Sequence, residues 1–286
     1  MAAAPMPTLL LGCRGMLGRE LERLVPGALA VDRDEVDVTD PAALDSVLVP
    51  GVTLVLNAAA DTRVDLCESD RSHLAVNAVA PGEIAERCAR IGARLVHVST
   101  DHVFDGRGVR PYHEDDPVDP VNAYGRGKLE GERAVLGSGA DAVVVRTSWL
   151  FGRHGPNFVD ALLKQVEEGR GELRVVADQS GRATAASDLA RAILLLAGAP
   201  LRGVVHFANS GETTWYGLAL AALELSGHRG VLVHPCPTSE SPRPARRPSY
   251  SVLDTSLYER VTGVRPRPFT EALAGYLAER GAPVAA

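Results

Sequence analysis

The stretch "LLLGCRGMLGREL", residues 9–21, decides how the chain is read. Three aliphatic residues read as a buried strand, and the apolar spacing from Met16 to Leu24 reads as a helix. Between them Gly12, Gly15 and Gly18 stand at G-x-x-G-x-x-G, with Cys13, Arg14, Met16 and Leu17 filling the intervals. Glycines at this spacing allow a tight turn. They also let a pyrophosphate approach the first N–H groups of the helix, which lack intrahelical partners. A second strand, Leu29–Val31, ends on Asp32, roughly 20 residues after the first glycine, where a carboxylate can bind an adenosine ribose. The unit predicts a dinucleotide site. Asp32 suits the free 2′-hydroxyl of NADH, while Arg14 and Arg33 suit the 2′-phosphate of NADPH. NADPH is the expected cofactor, with NADH possible.

Working outward, strands and helices alternate through the first 150 residues. Residues 42–48 read as a helix, 52–60 as a strand, 72–90 as a helix, and 94–104 and 141–152 as strands. Continuous apolar strands separated by helices indicate a parallel sheet covered on both faces. The expected fold class is α/β, a Rossmann-type doubly wound parallel sheet with a smaller C-terminal substrate-binding domain. Residues 1–150 are expected to form the first unit and 151–286 mainly the second, with segments at about 173–200 returning to the first. The Pro/Arg-rich tail 234–254 is expected to be ordered against the rest of the chain.

The formal net charge of −6 argues against a nucleic-acid partner. The four cysteines, Cys13, Cys67, Cys88 and Cys236, have no paired spacing, which fits a reduced compartment better than a disulfide scaffold. No apolar run approaches the roughly 18 residues of a membrane span. A cytoplasmic protein without membrane or nucleic-acid partners is expected, either monomer or homodimer.

A second stretch, "VNAYGRGKLEGERA" (121–134), contains one of only two lysines, Lys128 and Lys164, among 30 basic residues. Tyr124 and Lys128 stand at i and i+4 and so share a helix face. The pair follows by about 20 residues a strand that ends near Thr100. Ligands of open α/β sheets bind at such strand ends. A phenol, an ammonium and a hydroxyl therefore converge on the expected cofactor site.

With these residues in view, the chain resembles the dTDP-4-dehydrorhamnose reductase family of extended short-chain dehydrogenases/reductases. The likeness covers nearly the whole length. It is carried by "GCRGMLG", "DVTD" (37–40), "NAAADTRVDLCE" (57–68), "VNAVAPGEIA" (76–85), "STDHVFDG" (99–106), "YGRGKLEGE" (124–132), "RTSWLFG" (146–152), "DQSGRAT" (178–184) and "RRPSYSVLD" (246–254).

The resemblance implies reduction of the 4-keto group of a dTDP-linked 4-keto-6-deoxyhexose. Tyr124 would be the general acid, Lys128 its electrostatic partner and Thr100 a hydroxyl orienting the substrate oxygen or Tyr124. Asp101 would lie beside the sugar and Trp149 would form a wall of its pocket. Asp37 and Val38 would approach the adenine, with Ala58, Ala59, Ala60 and Val98 along the rest of the cofactor. Three positions depart from the family pattern: His102 in place of Tyr, Gly127 in place of Ser or Thr, and Ala183 in place of Pro. Arg243, Arg246 and Arg247 read equally as a pyrophosphate clamp or as a solvated basic loop.

No metal is implied, since the eight histidines show no ligand spacing. His97 and His206 sit within apolar strand patterns and read as core residues. A nucleotide-sugar dehydratase is disfavoured, because a Glu is expected after the Thr-Asp pair and His102 stands there. A 4-epimerase and a non-catalytic cofactor-binding subunit are the remaining alternatives; the intact Tyr124/Lys128 pair favours an enzyme.

Overall fold

The computed structural model describes residues 7–280. β1 (Thr8–Leu11), α1 (Met16–Leu24), β2 (Leu29–Val31), α2 (Pro41–Val47), β3 (Leu54–Asn57), α3 (Ala80–Ile91), β4 (Arg94–Thr100), α4 (Ala123–Gly137) and β5 (Asp141–Thr147) alternate along the first half. β6 (Leu150–Phe151), α5 (Phe158–Glu167), β7 (Glu172–Val176), β8 (Ser180–Gly181), β9 (Thr184–Ala185) and α6 (Ala186–Gly198) follow. The chain continues with β10 (Gly203–His206), β11 (Thr213–Thr214), α7 (Trp215–Leu225), β12 (Leu232–Cys236), α8 (Ser256–Thr262) and α9 (Phe269–Arg280).

Six of these strands pair in parallel, in the order β10-β5-β4-β3-β1-β2. Side chains of successive strand residues point to opposite faces, and the apolar triplet of β1 divides accordingly. Leu10 packs with α1 and α6 on one face, and Leu9 and Leu11 pack with α2 and α3 on the other. The chain leaves β1 for β2 at one side and returns to β3 at the other. The order therefore reverses between β1 and β3, and the crevice opens at the C-terminal ends of those strands.

A third core gathers Phe151 with side chains of α5, β7, α7 and α9. Of the segment 173–200 expected to return to the first unit, α6 packs on that unit's core and β7 does not. β7 pairs with β12 in a separate two-stranded sheet, and the returning elements are α6 and β10. The burial pattern explains the difference. β7 alternates between exposed and buried residues, as suits a sheet covered on one face, whereas β10 ends on the fully buried pair Val205–His206. The tail is tied into the body as expected: Tyr250 bridges to Arg107 and Ser180, and Leu253 to Tyr112.

The helix expected over 72–90 begins instead with a π-helical turn at Ala75–Val79, and Pro81 stands in the first turn of α3. Proline has no N–H to donate to the turn before it, so the regular ladder cannot run through. The turn turns Asn77 toward the loop after β3, where its amide receives the N–H of Asp61 at 2.9 Å and donates to the Asp61 carbonyl at 2.8 Å.

α4 is fixed to the sheet by a buried ion pair. Glu132 accepts two hydrogen bonds from Arg146 of β5, at 2.9 and 2.8 Å, and both side chains are almost wholly enclosed. The guanidinium also lies over the Phe104 ring and 3.5 Å from Nε2 of His206. His206 Nδ1 faces the Tyr112 carbonyl at 3.1 Å, so Nδ1 donates and Nε2 is free to accept. Burial and Arg146 push the His206 pKa down to about 3, which keeps the ring neutral.

Breaking a buried pair leaves an uncompensated charge. Glu132→Gln is expected to lower the unfolding free energy by about 3 kcal/mol. A denaturant titration checks this, and the double change Glu132→Leu with Arg146→Met is expected to recover a large part of the loss.

Candidate active site

The crevice is a cavity of about 550 Å³, a size suited to a small-molecule ligand. Its floor is the turn between β1 and α1. Gly12 has φ +82°, and a Cβ there would lie 2.7 Å from the Ala59 nitrogen. The turn can thus lie against the β3 loop only with glycine at this position. A Cβ at Gly18 would meet the Gly12 carbonyl at 2.0 Å, which sets the close packing of α1 on the turn. Gly15 meets only the Gly12 carbonyl, at 3.5 Å, and its side facing the crevice is open. It is also the N-cap of α1, with no side-chain cap and no acidic residue in the first turn. A helix N-terminus with open N–H groups beside an accessible glycine fits a pyrophosphate.

Asp32 follows β2. Its Oδ2 accepts from the Arg14 N–H at 2.8 Å and its Oδ1 from the Arg33 N–H at 2.8 Å. The guanidinium of Arg14 is paired with Asp34 and Glu35, and that of Arg33 lies 3.5 Å from Asp37. Asp37 holds its own turn by accepting from the N–H and hydroxyl of Thr39, which together keep its carboxyl below the usual range.

The reactive side of the cavity is built where β4 ends and α4 begins. Thr100 Oγ1 receives the His102 N–H at 3.1 Å, caps the 3₁₀ turn Asp101–Val103, and donates to Asp101 Oδ1 at 3.1 Å. Asn122, fully buried, caps α4 through the Gly125 N–H at 2.8 Å. Its Nδ2 donates to the Arg246 carbonyl at 2.8 Å and lies 2.9 Å from His102 Nδ1. A Cβ on Gly125 would lie 2.2 Å from the His102 carbonyl, so glycine lets the helix start directly against the β4 turn. His102 meets the Tyr124 ring edge-on, with centroids 5.5 Å apart.

Tyr124 and Lys128 both face the cavity. Burial, reinforced by Asp101, holds the Tyr124 phenol above the ordinary tyrosine pKa, and Thr100 opposes this only in part. Asp101 is raised in turn by its own burial. Burial lowers Lys128 to about 8, with Glu132 one turn along pulling the other way. Lys128 is 2% exposed, and its Nζ donates to the Val98 carbonyl at 2.7 Å. Three buried polar atoms of cavity-lining residues, Ser99 Oγ, Asp101 Oδ2 and Thr147 Oγ1, have no hydrogen-bond partner within the protein. Such atoms carry a desolvation cost that a polar ligand relieves.

The structure brings Gly15, Met16, Leu17, Gly18, Ala58, Ala60, Val98, Thr100, Asp101, Tyr124, Lys128 and Trp149 onto one cavity. Gly12, Cys13, Arg14, Ala59, Asp32, Arg33, Asp37 and Val38 are not among the residues that line it. Cys13 is buried, its thiol pKa raised by desolvation. Of the three tail arginines only Arg247 reaches the cavity, where Asp65 holds it at 3.0 Å; Arg243 and Arg246 are exposed.

Sequence reasoning missed Trp215. It stacks on Trp149 with centroids 3.8 Å apart and planes at 9°, and its indole N–H donates to Gln179 at 3.0 Å. Both tryptophans of the chain thus form one wall of the cavity. Trp149 adopts φ 44°, and Gly181 leaves room for its indole, since a Cβ there would lie 2.5 Å away. The one sequence signal for Trp215 is a large aromatic at the start of a helix, just after a polar loop.

Among the described residues no cluster of three or more His, Cys, Asp or Glu could hold a metal ion, and no helix is long and apolar enough to cross a membrane. The four cysteines are free and buried.

A family model described as RmlD substrate binding domain matches residues 6–281. The chain is 42% identical to the dTDP-4-dehydrorhamnose reductase of Mycobacterium tuberculosis, covering 93% of this chain and 91% of that one. It is 40% identical to the dTDP-4-keto-6-deoxy-D-glucose reductase of Streptomyces niveus, with 93% and 94% covered. The crystal structure of dTDP-4-dehydrorhamnose reductase from Bacillus anthracis in complex with NADP superposes with a TM-score of 0.90. The two are 30% identical, with 96% of this chain and 100% of that one covered.

The charges past β2 give a test of cofactor choice. Arg14→Ala removes one of the two guanidiniums near the expected 2′-phosphate and leaves Asp34 and Glu35 unopposed. It is expected to weaken NADPH binding severalfold more than NADH binding, as fluorescence titration of the two cofactors would show.

Proposed function

Because the chain belongs to the RmlD substrate binding domain family, we propose that it reduces the 4-keto group of a dTDP-linked 4-keto-6-deoxyhexose with NADPH, NADH serving as an alternative donor. The observation that carries this reading is the convergence of Thr100, Tyr124 and Lys128 on a cavity that also contains the open N-terminus of α1. The first turn of α1 would hold the pyrophosphate, and Asp32, Arg14 and Arg33 the adenosine ribose. Ala58, Ala60 and Val98 would lie along the central portion, and Asp37 and Val38 near the adenine. When bound, the nicotinamide supplies a hydride to the carbonyl carbon.

The chain's own residues handle the charge and the proton. As the carbonyl oxygen becomes negative, the Tyr124 hydroxyl donates its proton to it, and Thr100 orients the same oxygen. The protein's own groups around Tyr124 do not make it a ready acid, because burial and Asp101 both oppose ionisation of the phenol. Lys128 is the cationic group on the same face of α4, and its charge favours the tyrosinate left after transfer. The stacked indoles of Trp149 and Trp215 exclude water and form the wall against the sugar. Residues of the third core and the tail form the substrate side of the crevice, with Arg247 placed to meet a nucleotide phosphate. The reduced state of the four buried thiols suits a cytoplasmic setting.

Tyr124→Phe retains the ring and removes the proton. It is expected to lower turnover by roughly 10²–10⁴-fold while leaving NADPH affinity nearly unchanged. Monitoring NADPH oxidation with dTDP-4-keto-6-deoxyhexoses checks both parts; no oxidation by the unsubstituted enzyme with any of these sugars, despite cofactor binding, would overturn the reading.

A further inference from the structure

His97 lies in the middle of β4, is fully buried and is not among the residues lining the cavity. Its two ring nitrogens nevertheless connect the β3 loop to the reactive lysine. Nδ1 is 3.1 Å from Asn57 Nδ2, and Nε2 is 3.5 Å from Lys128 Nζ. The orientation of the Asn57 amide is set independently, because its Oδ1 accepts the Ala59 N–H at 3.1 Å. Turning the amide over would set an N–H against an N–H there. Asn57 must therefore present its NH₂ to His97, and Nδ1 must accept. A neutral imidazole with an accepting Nδ1 carries its hydrogen on Nε2, the nitrogen that faces Lys128.

We infer that Asn57 locks His97 in the Nε2–H tautomer, so that the ring turns a donor rather than an acceptor toward Lys128 and loosens the hold of the ammonium on its proton. Among the described residues Lys128 then has one acceptor, the Val98 carbonyl, for the three hydrogens of its charged form. Its neutral form is better matched, since the amine lone pair can receive the His97 N–H. Burial keeps His97 itself from protonating, which would bring a second N–H against Asn57. Burial by itself lowers Lys128 to about 8, against Glu132, and the His97 contact acts in the same direction as burial.

The other ionisable groups around this face do not substitute for His97. Glu132 acts in the opposite sense and is paired with Arg146 of β5. Asp101, Asp61 and Cys67 act on Tyr124. On α3, Arg87 is held by Asp45 and Glu83. His97 is thus a positioning residue, and its importance for turnover rests on the reading of Lys128 as the partner of Tyr124. A lysine that gives up its proton near neutral pH can follow the charge of the phenol through the reaction. One that stayed fully protonated would not.

The composition makes a direct measurement possible. With only Lys128 and Lys164 in the chain, ¹³Cε-lysine labelling gives a two-signal NMR spectrum. Lys164→Arg assigns it, since Lys164 is exposed on α5. In the full ligand-free protein the Lys128 signal is expected to titrate near pH 8. Long-range ¹⁵N spectra of histidine-labelled protein are expected to show His97 protonated at Nε2 and bare at Nδ1.

His97→Gln offers a freely oriented carbonyl to Lys128. It is expected to raise the Lys128 midpoint by about one pH unit, a tenfold gain in proton affinity, and to move the alkaline limb of kcat/KM by the same amount. An Nδ1–H tautomer in the unsubstituted protein would overturn the inference. So would a midpoint unmoved in His97→Gln while turnover falls equally at every pH, the mark of a packing role. Should His97→Gln fail to fold, the tautomer pattern alone decides. The titration needs no substrate, so it stands or falls separately from the assignment of the reaction.

Discussion

The buried pair between Glu132 and Arg146 is the constraint on which the reactive side of the molecule depends. Two charges removed from water repay their desolvation only when their geometry is close to ideal, and this pair meets that condition with two short parallel hydrogen bonds. The pair therefore tolerates little sliding of α4 along β5. Tyr124, Lys128 and Glu132 recur every four residues on one buried face of that helix. Fixing the third member fixes the height and rotation of the other two above the end of β4. Asn122 fixes the opposite end of the same row by capping the helix and binding both His102 and the tail.

Local patterns were legible where one stretch of chain determines its own structure. The glycine turn, the first βαβ unit and the Tyr124/Lys128 spacing are of this kind, because a steric or periodic requirement acts within a few residues. The alternation of strands and helices also sufficed to indicate a parallel sheet. The π-helical turn at Ala75–Val79 was less visible: Pro81 marks a break without saying which way the chain bends. Within the stretch expected to return to the first unit, α6 does so, but β7 does not: it has a strand pattern, and only its partner β12, 60 residues further on by register, shows which sheet it joins.

The remaining site residues were hidden for a related reason. Trp215 meets Trp149 and Gln179 only through tertiary packing. In the sequence each belongs to a different element with an unremarkable local pattern. His97 was read as a core residue from its apolar neighbours, and it is indeed fully buried. What that reading lacked was the direction of its ring, which depends on an asparagine 40 residues earlier and a lysine 31 residues later. Burial of a polar side chain in a strand is a question about partners, and partners across a parallel sheet are remote in sequence.

The same geometry accounts for a lysine at position 128 in a chain that otherwise uses arginine almost throughout. The Nζ stands at the edge of the cavity between the Val98 carbonyl and the His97 ring, with that carbonyl its one acceptor among the described residues. A guanidinium would bring five N–H groups into that space and could neither shed its charge nor receive the His97 hydrogen. Arginine satisfies a buried carboxylate well, as Arg146 does with Glu132, because its donors match two oxygens. Beside a donor imidazole the requirement is reversed: the group must be small and able to lose a proton. Lysine is the basic side chain that meets both conditions, and its placement follows from the tautomer of a histidine that never touches the cavity.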